Sequence, residues 1–313
     1  MAAAREGYKR VVQYLVEDCD AAVAPKSNDG FTALTWAATR GHIDIVQCLA
    51  GHLAADEVYA ALTWSAAYGR INVILCLAAG ECDAKNDQGQ RLLVWAAQNG
   101  RLDIVYCLVE RCGVNVNGRN SDGNTALIEA VYHDHKDVAQ FLAKHCGADV
   151  DAKSNSGYTA LMWAATYGWI DVVKCLAGEC GADVDITTNE GDTLLMVAAG
   201  KGHVGIVQYL AESCSVDVNV KNDAGRSALV EAAEYDRVDV VRYLAGCGKR
   251  TSSDCLAALL VAAGKGHINV VRYLTEESGT DVNASGKDGA IALMVAARND
   301  QMTLVQYLTG EYD

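Results

Sequence analysis

The sequence predicts an all-α solenoid: helix-turn-helix units stacked side by side and joined by short β-hairpins or loops. Three observations predict it. A turn residue recurs along all 313 residues, as glycine at 7, 41, 69, 100, 168, 202 and 266 and as aspartate at 134, 236 and 300. A small pair precedes it, Ala-Ala in eight cases, with Ser65–Ala66 and Ala130–Val131 in the others. Leucine then closes every period, from Leu15 and Leu49 through to Leu274 and Leu308. Self-similarity at a fixed period is the signature of a repeat array. Most markers lie 34 residues apart, and only the intervals 41–69, 69–100 and 236–266 are shorter. The expectation is one domain over residues 1–313 with about ten repeats, the first and last incomplete, and irregular repeats near 50–66 and 246–260.

The repeat "TALMWAATYGWIDVVKCLAGECGADVD", Thr159 to Asp185, shows each element in order. Thr159 is placed to cap a first helix over roughly Thr159–Tyr167, because a threonine oxygen accepts an orphan N–H of the first turn. Ala164 and Ala165 carry no bulk to hold a neighbouring helix away. A second helix over roughly Ile170–Ala177 presents Ile170, Val172, Val173 and Leu176 as an apolar stripe. Asp171 sits in its first turn, where the positive end of the helix dipole favours a carboxylate; Asp44, Asp103, Asp137 and Asp239 hold the same place. The connecting segments carry Asn, Asp and Gly, which suit tight turns. Each helix is shorter than the ~12–15 residues at which an isolated helix is marginal in water. A single repeat therefore cannot stand alone, and stacked repeats share one core.

Composition sets limits on function. The chain is 51% hydrophobic, so a large core is available, and its single proline, Pro25, excludes Pro-rich linkers. A net charge of −14 repels phosphate backbones, so nucleic acid is not an expected partner. No apolar run is long enough to span a membrane, and "MAAAREGYKRVV" lacks the apolar stretch of a signal peptide. A cytoplasmic or nuclear, non-secreted protein is expected.

In these residues the chain resembles the ankyrin repeat family. The matching pattern is a turn glycine, Thr-x-Leu, Ala-Ala-x-x-Gly-His, an apolar helix and Gly-Ala-Asp-Val-Asn, seen best in Gly30–His42 and Cys146–Asp151. The resemblance covers essentially the whole chain. It departs from the family's T-P-L-H string, which reads TALT at Thr32–Thr35 and TALM at Thr159–Met162. Proline at the first helical position presets the backbone, so its loss lowers local stability without changing the fold. The short repeats around "GHLAADEVYAALTW" and "GKRTSSDCLAALL" are expected to lack a full hairpin and to bend the stack. Arrays of this kind need polar caps, and two readings of the start stay open: a degenerate cap, or one part of a longer chain.

Twelve cysteines follow the period. Cys48, Cys76, Cys107 and Cys175 alternate with Tyr14, Phe141, Tyr209, Tyr243, Tyr273 and Tyr307 at one second-helix position, which reads as buried and apolar. Cys112, Cys146, Cys180 and Cys214 recur at the following turn. Stacked helices lie about 8–10 Å apart and a disulfide needs Cα atoms about 4.4–6.8 Å apart, so a disulfide ladder between repeats is not expected. His133, His135, His145 and Cys146 bracket a second helix, whose ten residues span about 15 Å, and do not converge as zinc ligands. The "GKGH" strings at 200–203 and 264–267 lack phosphate-loop spacing. No catalytic, metal or cofactor residues are assigned.

What the resemblance implies is a protein-binding face, formed on the concave side by the hairpin tips and the residues after the Ala pair. On this sequence the candidates are Phe31, Arg40, Tyr68, Asn99, Tyr132, His133, Tyr158, Tyr167, Trp169, Lys201 and Tyr235. Tyrosine and arginine are common interface anchors. Trp36, Trp64, Trp95 and Trp163, just before the small pair, read as packing between repeats. The family's hydroxylation target, the Asn of Asp-Val-Asn, is matched by Asn219 and Asn283. The expected function is a non-catalytic, monomeric scaffold for a protein partner. The alternative is the targeting segment of a larger enzyme, such as a kinase or ubiquitin-ligase component.

Overall fold

The computed structural model describes residues 1–79, 87–246, 252–286 and 291–310, and every regular element among them is a helix. The chain divides into two compact units, Met1–Ser154 and Asn155–Asp313. Each contains five helix pairs among its described residues. In the N-terminal unit, first helices such as Ala33–Arg40 and Ala126–Tyr132 are followed by second helices such as Ile43–Ala50 and Lys136–His145. In the C-terminal unit, Ala160–Tyr167, Leu194–Lys201 and Ala228–Glu234 play the first role, and Ile170–Lys174, Val204–Glu212 and Val238–Gly246 the second. Within each unit, first helices pack on first helices and second on second.

The helices begin and end where side-chain chemistry dictates. Thr32, Thr125, Thr159 and Thr193 accept the N–H three residues on, at 3.2 to 3.3 Å. Ser227, in the same place, makes no side-chain cap bond. At the far end every marker is left-handed: Gly41 has φ 82°, Gly168 81°, Asp134 63° and Asp236 56°. Glycine adopts this without strain, and aspartate tolerates it. The turn closes as a Schellman motif, with Gly41 N–H donating to Ala38 O (3.1 Å) and His42 N–H to Ala37 O (2.9 Å).

The small pairs sit in the core. Ala37, Ala38, Ala164, Ala165, Ala198 and Ala199 are completely buried. Ser65 is equally buried, and its Oγ donates to Ala61 O at 2.7 Å, which is why a hydroxyl fits there. The closing leucines from Leu49 to Leu274 are buried too. Leu15 is 41% exposed.

All three short intervals have one structural consequence. Their first helices run Ala55–Ala67, Asp87–Gln98 and Ser252–Lys265, each of 12 to 14 residues, where Ala33–Arg40 and Ala160–Tyr167 have 8. Near 50–66, where the whole junction is described, added helical turns stand in place of the hairpin, as expected; residues 247–251 of the second expected site, and 80–86 before Asp87–Gln98, lie outside the described residues. In full-length repeats the hairpin is a tight turn closed by a left-handed glycine such as Gly123 or Gly191. Single bridges pair Arg119 with Thr125 and Thr187 with Thr193. Asn120 Oδ1 and Thr188 Oγ1 accept the turn's N–H groups.

One expectation is corrected at the outer second-helix position. Cys107 and Cys175 are buried and Tyr273 nearly so, but Cys48, Cys76, Phe141, Tyr209, Tyr243 and Tyr307 are half-buried and Tyr14 is exposed. The column is amphipathic rather than apolar. Tyr243 and Tyr307 donate to Glu212 and Glu276 of the preceding repeat at 2.9 and 2.6 Å. Arg242 and Arg272 lie over the Tyr273 and Tyr307 rings, 5.2 and 5.6 Å from their centroids.

Candidate functional site

The candidate side chains cluster at the two ends of the first helices. In the N-terminal unit Phe31 immediately precedes the cap Thr32 and stacks on Trp36, with ring centroids 4.7 Å apart. This is a hydrophobic staple, a residue before the cap packing on the fourth helical residue, and it fixes the angle at which the chain enters the helix. Phe31 also meets Trp64 of the next repeat at 4.7 Å, and Trp64 stacks on Tyr68 at 6.1 Å. Trp64 and Tyr68 are 38% and 54% exposed. Arg5 lies over Trp36, 5.2 Å from the ring centroid, and Arg40 is exposed nearby in sequence.

Beside this strip is a groove of about 460 Å3 lined by Tyr59, Arg91, Trp95, Gln98, Arg119 and Asn120 among others. Arg91 sits over the Tyr59 ring at 4.5 Å. Asn99 is exposed, and its amide donates to Trp95 O of its own helix. Further along, His133 packs edge-on against Tyr132 at 5.0 Å. Its Nε2 lies 3.4 Å from Glu129 and 3.3 Å from the Gln98 amide. Glu129 is buried, in the register that tryptophan holds in four repeats, and accepts the Asn120 and Asn124 amides at 2.8 and 2.9 Å.

In the C-terminal unit the staple recurs as Tyr158 on Trp163 at 4.8 Å. The stack continues through Tyr167 (5.9 Å) to Trp169 (5.0 Å). Tyr167 is exposed, and Tyr158, Trp163 and Trp169 are half-buried. Carboxylates flank this aromatic run. Burial pushes the Tyr158 hydroxyl up, helped by Asp192, Glu190 and Tyr235. Glu231 takes the same register as Glu129; burial raises its carboxyl, while the guanidinium of Arg226 pulls it down. Arg226 Nε is 3.0 Å from Glu231 Oε1, an ion pair off hydrogen-bond alignment, and Arg226 also pairs with Glu234. Lys265 reaches Glu234 at 3.5 Å, and Lys201 and Tyr235 are exposed on the same helix ends.

The residue after seven of the markers performs a different task. His42, His135, His203 and His267 bring Nε2 to a carbonyl of the preceding repeat's first helix, Arg5, Gln98, Thr166 and Glu234, at 2.9 to 3.1 Å. A carbonyl only accepts, so each Nε2 carries the proton. Arg70, Arg101 and Arg237 do the same in other repeats. These side chains cap orphan carbonyls at the helix end. His135 is thereby committed to Gln98, and His133 faces Glu129 and Gln98.

Two groups were not assigned to the candidate face from sequence. The tryptophans do pack, as Trp64 against Phe31 shows, but they also belong to the exposed aromatic strips. Their spacing of five residues from Phe31 and Tyr158 is the signal that identifies the staple. The buried Glu129 and Glu231 were hidden because their partners come from the hairpin rather than from their own helix.

Among the described residues no helix is long and apolar enough to cross a membrane. A family model described as ankyrin repeats (3 copies) matches residues 1–88, 62–154, 93–188, 161–255 and 246–313. A search of curated proteins finds no significant match. Repeats of this kind generally mediate protein–protein interactions and are typically non-catalytic. With the recurring cap, left-handed marker, buried small pair and closing leucine all in register, and the family pattern running from residue 1 to residue 313, the chain belongs to the ankyrin repeat family.

Proposed function

We propose that the chain is a non-catalytic, monomeric scaffold that binds a protein partner through its first-helix ends and hairpin tips, without a cofactor. The observation that carries this reading is the stack Tyr158–Trp163–Tyr167–Trp169, which holds large rings in fixed positions at the surface. Pre-ordered aromatic rings make good anchors because little side-chain entropy is lost on binding. The carboxylates around Tyr158 and the net charge of −14 favour a partner segment with basic and apolar residues together. We read residues 1–313 as one array, supported by the family match over 93–188, which runs across the boundary at Ser154.

The test compares partner recovery by the wild-type chain and by Tyr132→Ala/Tyr167→Ala, with cross-linking to map the contact. Both tyrosines are exposed, so the double variant should melt almost as wild type does. Reduced recovery of a partner whose cross-links map to the strips supports the reading. Equal recovery of every partner, or cross-links confined to second helices, refutes it.

A further inference from the structure

Among the described residues four second helices end in a wider π turn, at Tyr14–Asp18, Cys107–Arg111, Cys175–Glu179 and Tyr273–Glu277. A π turn bonds each N–H to the carbonyl five residues back. Cys112 N–H donates to Cys107 O at 3.2 Å, and Cys180 N–H to Cys175 O at 2.9 Å. The two residues are therefore stacked one above the other. Only these two of the four turns carry cysteine at both positions, and one falls in each compact unit. Cys175 Sγ and Cys180 Sγ are 4.0 Å apart, in van der Waals contact. Cys107 and Cys175 are buried, whereas Cys112 and Cys180 are half-buried and open to small solutes.

We propose that Cys107–Cys112 and Cys175–Cys180 are two dithiol sites that a peroxide oxidises to disulfides within a single repeat. The outer thiol, as thiolate, attacks a peroxide oxygen. An S–O bond forms, the O–O bond breaks, and hydroxide leaves, taking up the proton the outer thiol gave to solvent on ionising, as the first water. The inner sulfur then attacks the sulfenic sulfur of its partner. An S–S bond forms, the S–O bond breaks, and the inner thiol's proton departs with the leaving hydroxide as the second water. Two thiols lose two electrons and the peroxide becomes two waters. At Cys175 and Cys180 the sulfurs must close from 4.0 Å to the about 2.05 Å of a disulfide.

Local electrostatics favour this order of events. The Cys107 S–H stabilises a thiolate on Cys112 and holds it at about 7, while Cys107 itself is raised. Cys146 is an internal control. It occupies the same turn position, but its opposite number is Phe141, and burial with Glu110 nearby pushes it up to about 11. Cys214, opposite Tyr209, is a second control.

The experiment exposes the full chain to dilute hydrogen peroxide, blocks remaining thiols with iodoacetamide and maps tryptic peptides without reduction. Cleavage after Arg111 separates Cys107 from Cys112, so their disulfide joins two peptides. No Lys or Arg lies between Cys175 and Cys180, so theirs appears as one peptide lighter by two hydrogens. At neutral pH, Cys112 should lose alkylation at least about tenfold faster than Cys146, because thiolate fraction outweighs intrinsic nucleophilicity. Cys112→Ser should abolish the first bridge, return Cys107 to the alkylatable pool and leave Cys175–Cys180 intact. Cys180→Ser should do the converse. Sulfinic acid at Cys112 and Cys180 without bridging, bridges to cysteines of other repeats, or four thiols as alkylatable as before would each overturn the proposal.

Discussion

His203 Nε2 lies 3.0 Å from the carbonyl oxygen of Thr166, thirty-seven residues earlier, and its ring rests on the left-handed Gly168. A β-carbon on Gly168 would lie 2.6 Å from that ring. One imidazole thus ties two repeats and lies close over the Gly168 marker of the preceding one. Gly168→Ala should therefore cost more than the roughly 1–2 kcal/mol of forcing an alanine left-handed. Gly225 also has positive φ but open space around it, so Gly225→Ala should cost the backbone part alone. Urea unfolding of the two variants should differ by about 1 kcal/mol, the net worth of one hydrogen bond. Equal losses would show that the His203 contact contributes nothing.

The caps make a second comparison. Thr159 accepts the Met162 N–H, whereas Ser227 makes no cap bond. Thr159→Ala should lose about 1 kcal/mol, and Ser227→Ala well under half of that. Thermal melts of the two variants decide it; matching losses would mean the register, not the bond, sets the cost.

Two carboxylates should respond to pH with opposite sign. The Arg101 guanidinium holds Asp103 below the usual carboxylate range, against partial burial. Its contribution is present above the ordinary value near about 4 and is lost as pH falls through the lowered value. Glu231 is raised, chiefly by burial, so its contribution is full below the ordinary value and is lost as pH rises through the raised one. Asp103→Asn should flatten the acid limb of melting temperature against pH. Glu231→Gln should flatten the fall above about pH 4. Added salt should shrink the first effect, since Asp103 is 45% exposed. Parallel profiles for wild type and both variants would contradict the assignments.

Much of the architecture was legible because it depends on period. The marker glycines, the buried Ala164–Ala165 pair and the leucines from Leu49 to Leu274 each repeat at positions where one chemistry is permitted. What escaped depends on reach. Periodicity reports which face of a helix is covered but not what a long side chain on its edge will find. Arg70 and His42 share a register and, though unlike in chemistry, each finds the carbonyl two residues before the preceding marker, and the Tyr243 hydroxyl finds Glu212 of the preceding repeat. The long first helices were also missed. A deletion says that a hairpin is short, not that Ala55 to Ala67 continue as one helix. The stacked cysteines of the π turns were hidden because a spacing of five belongs to neither the α-helical nor the β period.

The tyrosine column on the second helices should carry stability rather than binding. Tyr307 is held by Glu276 and covered by Arg272. Tyr307→Phe should lower stability by about 1 kcal/mol and leave partner recovery unchanged, read by melting and pull-down in parallel. Lost recovery with unchanged melting would place the binding face on the second helices.

The central claim is that each helix pair stands because its neighbours bury it, and hydrogen exchange on Leu210→Ala tests this most directly. Leu210 is completely buried in the second pair of the C-terminal unit. Its truncation should cost about 2–5 kcal/mol. The account predicts faster exchange in Val204–Glu212 and also in the flanking helices Ile170–Lys174 and Val238–Gly246. A rise confined to Val204–Glu212, with both flanking helices protected as in the wild type, would contradict it.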